Sequence, residues 1–259
     1  MNFFFSSHSF KWLPLVVVLM SLASCGSKYK IEGTSSVTGL DGKMLYLRSF
    51  KGGEWVNVDS AEVVHGLFEM KGAADSARMV TIYMDEEGLM PIVLENGTIK
   101  VTIANSELRA SGTTLNDCLY AFIDKRNDYE TRLGELDSRE ARMVLDGVNV
   151  DEAHAQVAEE GNKLVKEMNE YVIGFIKENY ENVLGASVFM MMCSTLPYPM
   201  MTPEIEDVMR TAPASFKDDE MVQEFLSKAK ENMKLIEEHQ RLEENKIVSA
   251  RENKGASAQ

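Results

Sequence analysis

Three features of the sequence predict an α+β protein: an N-terminal antiparallel β-sandwich or barrel followed by a helical region of four to five helices. Between Tyr29 and Ala110 short apolar–polar alternations are separated by glycine turns, the pattern of strands with one buried face. At Ser111-Gly112-Thr113 the apolar spacing changes to that of a helix. Ahead of both, Leu22-Ala23-Ser24-Cys25 closes a short apolar run that begins near Trp12. These features divide the chain into residues 1–24, a sandwich over 25–112, a helical region over 113–240 and a disordered tail over 241–259.

The first segment reads as a bacterial lipoprotein signal. Its apolar run is too short to span a bilayer as a helix, Lys11 supplies a positive flank, and no acid precedes Cys25. Cys25 stands where small residues end a cleavage site. Cleavage before it, with acylation of its thiol by chains such as palmitate, would make Cys25 the lipidated mature terminus. The expected location is the cell outer membrane, with the body facing the periplasm. Gly26-Ser27-Lys28 carries no acidic run of the kind that resembles a surface-export signal.

Within the sandwich, turns are expected at Gly39-Leu40-Asp41-Gly42, Gly52-Gly53, His65-Gly66, Glu87-Gly88 and Asn96-Gly97. Asn-Gly is a strong hairpin signal, because both residues tolerate positive φ. Ile99 to Ile103 alternates cleanly, as does Phe68 to Lys71, whereas Met79–Met84 and Ile92–Leu94 are continuous enough for central strands. Seven or eight strands result.

In the helical region Leu115, Cys118, Leu119 and Phe122 form one stripe, capped by Thr113 or Thr114. Breaks are expected at Gly134 and around Asp146-Gly147. Asp151 is the expected cap of a second helix. Leu184 to Cys193 is apolar on every side and should be buried. Thr202-Pro203 opens a further helix, with proline where no amide partner is lost, and Asp218-Asp219 opens the last. Beyond His239 the apolar pattern fades.

Composition restricts function. The net charge is −14, and Thr114 to Gln259 alone holds 17 basic and 29 acidic residues. Such a chain is repelled by phosphate backbones, so no nucleic-acid partner is expected. The four histidines are scattered, with no pair at helical ligand spacing, so no metal and no cofactor is expected. Asp85-Glu86-Glu87-Gly88 offers too few oxygens for calcium and reads as a hairpin tip. Met190-Met191-Met192 points three ways on a helix and reads as adaptable core filling rather than a copper site. No catalytic constellation is present, and the chain is not expected to be an enzyme. Cys118 and Cys193 form no CxxC. They are either buried free thiols or partners in a disulfide.

Val58-Asp59-Ser60-Ala61, Gly66-Leu67-Phe68 through Lys71-Gly72, Leu94-Glu95-Asn96-Gly97-Thr98-Ile99 and Ser111-Gly112-Thr113 with Leu115-Asn116 resemble the domain of unknown function 4369. That domain is typical of Bacteroidetes envelope lipoproteins and commonly precedes a thioredoxin-like domain of the thiol–disulfide interchange type. Phe175 to Phe189 resembles the helical connector of those longer proteins. The Trp-Cys-x-x-Cys element of their catalytic domain does not occur in this sequence, so the resemblance implies their non-catalytic half and not their redox activity. The expected function is that of a lipid-anchored, non-catalytic binding or structural module with a protein or small-ligand partner. Two alternatives are an accessory to thiol–disulfide enzymes working through Cys118 and Cys193, and a metal or small-ligand carrier. Asp59-Ser60-Ala61 and Asp75-Ser76-Ala77 also resemble an O-glycosylation acceptor of Bacteroidetes envelope proteins. Ser60 alternates in phase with Val56 and Val58 and should face the core, which leaves exposed Ser76 as the expected glycan site.

Overall fold

The structure, a computed structural model, describes residues 27–256. The signal segment and Cys25 lie outside the described residues. Eight strands form two four-stranded sheets, followed by helices, so the α+β architecture is as expected. The strands are β1 (Lys28–Ser35), β2 (Met44–Lys51), β3 (Glu54–Glu62), β4 (Leu67–Ala73), β5 (Arg78–Met84), β6 (Glu87–Leu94), β7 (Gly97–Ala104) and β8 (Glu107–Ser111). One sheet has the order β4-β1-β7-β8 and the other β3-β2-β5-β6.

All pairings are antiparallel except one: β1 and β7 run parallel, Ile31 opposite Ile99. The cause lies at Asn96-Gly97, which is not a hairpin. It carries the chain from β6 in one sheet to β7 in the other, so β7 enters beside β1 from the same end. Gly97 has φ +124°, and Asn96 Oδ1 accepts from the Lys28 amide at 3.1 Å. Gly52-Gly53 is a true two-residue hairpin, both residues at positive φ, the geometry that matches strand twist. The β5–β6 turn falls at Asp85-Glu86, two residues before the expected position. Gly88 is thereby drawn into β6 opposite Tyr83. β6 is an edge strand rather than a central one; its apolar run is buried because helices cover it.

Alternate residues of the strands meet between the sheets: Ile31, Leu45, Leu47, Ile82, Ile92, Ile99 and Val101 are fully buried or nearly so. Gly33 lies opposite Phe68, and any β-carbon there would stand inside the Phe68 ring.

The helices are α1 (Thr114–Leu145), α2 (Val150–Glu178), α3 (Val183–Cys193), α4 (Pro203–Thr211), the single turn α5 (Ala214–Lys217) and α6 (Glu220–Ala256). Gly134 does not break α1. Its position has open space around it, and the helix runs on to the turn at Asp146-Gly147. The far ends of α1 and α2 pack on each other around Tyr129, Leu136, Val157 and Leu164. Asn149, not Asp151, caps α2: its Oδ1 accepts from the amides of Asp151 and Glu152. Thr202 caps α4 ahead of Pro203, and Asp219 caps α6, as expected.

The tail expected to be disordered is helical through Ala256. Its Glu, Lys, Gln, Arg and Leu residues are strong helix formers, and an established helix propagates without an apolar stripe. Helix α3 is buried along most of its length by α2, α6 and β5, and the turn before it packs closely on its first residues: a β-carbon on Gly185 would lie 2.4 Å from the Asn179 carbonyl oxygen. One continuous core joins strand residues to Phe122, Phe175, Phe189, Phe216 and Phe225. Sandwich and helices therefore form a single body with no linker between them.

Candidate functional site

The junction of the two halves is built by side chains at the β6 edge. Asn116, in the first turn of α1, is fully buried. Its Oδ1 accepts from the Val93 amide at 3.0 Å, and its Nδ2 donates to the Val93 carbonyl at 2.7 Å. Glu95 Oε1 accepts from the amides of Leu115 and Asn116 at 2.9 and 3.2 Å, so the helix is capped from the strand. Thr113 makes no cap of its own; its hydroxyl accepts from Asn116 Nδ2 at 2.8 Å. Tyr120 donates to the Pro91 carbonyl one turn further on. This constellation is structural: its polar atoms are occupied with one another.

A recess that is open to a ligand lies on the outer face of the β3-β2-β5-β6 sheet. Period-2 alternation places Tyr46, Arg48, Phe50, Met79, Thr81 and Tyr83 on that face. At the β2–β3 end the face carries an aromatic row, Phe50–Trp55–Tyr83, with ring centroids 5.3 and 5.4 Å apart in edge-to-face geometry. Arg48 lies over Tyr83 at 4.7 Å from the ring centre and pairs with Glu86 at 3.0 Å. Trp55 is 51 % exposed and Phe50 43 %, a large apolar commitment to surface.

Helices α3 and α6 stand against this row and leave a groove. One lobe, of about 430 Å³, is lined by Phe50, Trp55, Met190, Pro199, Met221 and Phe225. A second, of about 310 Å³, shares Phe50, Trp55, Met190 and Met221 and reaches inward to Met79, Thr81 and Ser187. Ser187 is 7 % exposed, and its Oγ is buried with no hydrogen-bond partner among the described residues. Arg78, also on the wall, has a buried Nε in the same condition. Glu224 and Lys228, paired at 2.6 Å, close the rim. Of the methionine run expected to fill the core, Met190 and Met192 pack against it, and Met190 and Met191 line the groove. Thioether side chains adapt their shape to what they contact, which suits a binding wall.

The sequence-derived candidates fall elsewhere. Cys118 is half-buried on α1, and Cys193 is buried at the end of α3. Both are free thiols, and no disulfide joins them. Burial pushes the Cys193 thiol up to about 12. Burial, with Glu178 nearby, raises Cys118 as well. Neither is poised as a nucleophile. Ser76 is exposed in the β4–β5 connection. Ser60 is exposed too, contrary to the expected inward orientation. The β2–β3 register shifts after Leu47, and this bulge in β3 changes which residues face inward. Among the described residues no group of three or more His, Cys, Asp or Glu side chains could hold a metal ion, and no helix is long and apolar enough to cross a membrane.

Fold and groove together define a β-sandwich bound to a helical layer, with an apolar recess at their seam. Residues 29–119 match the domain of unknown function DUF4369, so the sandwich with the first turns of α1 is a domain of that family. The match spans Glu95, Thr113 and Asn116, the residues that weld strand to helix. No curated protein and no solved structure matches the chain.

Proposed function

We propose that this chain is a lipid-anchored, non-catalytic binding module of the cell envelope, held at Cys25 in the outer membrane on its periplasmic side. In this reading the groove between the Phe50–Trp55 hairpin and helices α3 and α6 receives an apolar group that carries one hydrogen-bonding atom. The groove carries the proposal: it is concave, lined by aromatic and thioether side chains, and backed by a buried hydroxyl with no partner among the described residues. Recesses of this size, mostly apolar with a few polar atoms, suit small ligands and anchoring side chains. A bound hydrogen-bonding atom would relieve the cost of leaving the Ser187 hydroxyl unsatisfied.

An accessory role in thiol–disulfide exchange finds no support in the thiols, which are buried or half-buried, lie on different helices and hold their protons. Trp55 provides the test, since the only other tryptophan, Trp12, precedes the cleavage site. Titration of the mature protein with the apolar dye N-phenyl-1-naphthylamine should quench Trp55 by energy transfer and enhance the dye. Met221→Glu, which places a charge on the groove wall, should weaken binding about tenfold or more. Dye binding unaltered by Met221→Glu and by Trp55→Ala would overturn the groove as the site.

A further inference from the structure

We infer that the protein stands on its membrane by one end of the β4-β1-β7-β8 sheet, with Lys28, Lys30 and Lys71 set against anionic lipid headgroups. The inference rests on the proposed acylation of Cys25. Ser27, the first described residue, already belongs to the fold: its carbonyl accepts from the Ala74 amide at 2.8 Å, and β1 begins at the next residue. From Cys25 to Ser27 an extended chain spans at most about 7 Å. That is shorter than the Debye length of about 8 Å at physiological ionic strength, so this end stays within electrostatic reach of the bilayer.

The chemistry of that end is unlike the rest of the chain. Lys28 and Lys30 on β1 and Lys71 on β4 surround a recess of about 600 Å³ with Thr98 of β7. Lys30 lies opposite both Lys71 and Thr98 in the sheet register. Glu69 bridges Lys30 and Lys71, at 3.1 and 2.6 Å, and Glu32 also pairs with Lys30, while Lys28 has no carboxylate partner among the described residues. In a protein of net charge −14 whose helical half is strongly acidic, a lysine cluster at the anchor is complementary to an anionic surface, and the helices are repelled from it. Ser76, two residues beyond Ala74, shares this end. A glycan there would stand against the headgroups.

The full-length acylated protein, reconstituted in vesicles of phosphatidylethanolamine and phosphatidylglycerol, tests the orientation. Spin labels are placed at Ser76→Cys and, at the opposite end in the β7–β8 turn, at Ser106→Cys, each in a Cys118→Ala background. A nickel-chelating lipid then relaxes labels that lie near headgroups. The label at position 76 should relax several-fold more than that at 106. Lys28→Gln, Lys30→Gln and Lys71→Gln combined should reduce the effect at 76 by about threefold or more, as should replacing phosphatidylglycerol with phosphatidylcholine. Equal relaxation at both positions, or a contrast indifferent to lysines and lipid charge, overturns the inference. Intact mass of the same sample separates the two claims: a chain without acyl groups on Cys25 defeats the anchoring itself, whereas an acylated chain with equal relaxation defeats only the orientation.

Discussion

The side-chain amide of Asn116 pairs with both backbone groups of Val93, accepting from its N–H at 3.0 Å and donating to its carbonyl at 2.7 Å. It takes the place a neighbouring strand would occupy on the β6 edge, at a point where water is excluded. An open edge is a site for unwanted pairing, and here it is closed by one residue of the helix that covers it.

Asn116→Ala leaves two buried backbone groups of Val93 without partners and should destabilise the protein by about 3 kcal/mol. Asn116→Asp should cost at least as much, because it removes the donor to Val93 and sets a second carboxylate beside Glu95. A urea melt checks this, with a lowered midpoint and an unchanged slope. A midpoint within error of wild type would refute the edge-closing role.

Glu95→Ala should cost about 1 kcal/mol by uncapping α1, since Leu115 and Asn116 lose their common acceptor. Combined with Asn116→Ala, the loss should be less than additive, as both changes act on one network. Strict additivity in a double-mutant cycle would show the two contacts to be independent.

The period change at Ser111–Thr113, the buried α3 and the caps at Thr202 and Asp219 were legible in the sequence because each depends on neighbours within a few residues. Asn96-Gly97 was not, since a turn's role depends on which sheet receives the following strand. Gly134 and the residues after His239 misled for a related reason: a long helix tolerates a glycine and outlasts its apolar stripe. The Asn116–Val93 contact and the groove bring together residues 23 or more than a hundred positions apart. Trp55, Ser187 and Met221 meet only through tertiary packing, and nothing local to any of them marks a shared recess.

Cys118 and Cys193 should both titrate as thiols after unfolding in urea without reductant, in a Cys25→Ala chain. In the native protein Cys193 should react at least about a hundredfold more slowly than a free cysteine, given its burial and raised pKa. Absence of thiols before reduction would instead establish a disulfide.

Stability should fall at alkaline pH. Burial raises Cys193 to about 12, and raises Tyr120 and Tyr29 as well; Tyr29 also donates to Asp59 at 2.7 Å. The folded state thus keeps protons that the unfolded chain gives up from about pH 8.5 for the thiol and about pH 10 for the phenols. The contribution is complete below those values and is lost as pH rises toward the folded ones. The urea midpoint should be level near neutrality and decline above about pH 9, with Cys193→Ala reducing the earliest part of the decline, to which the raised Cys118 thiol also contributes. A midpoint rising over that range would contradict the assignment.

Native mass spectrometry of the protein extracted from its own membranes tests the binding role most directly, by comparing gentle with denaturing conditions. The account predicts a chain beginning at acylated Cys25 that carries a noncovalent adduct, lost on denaturation and absent from Met221→Glu. Native and denatured masses that agree in both proteins, with no adduct at any stage, would contradict it.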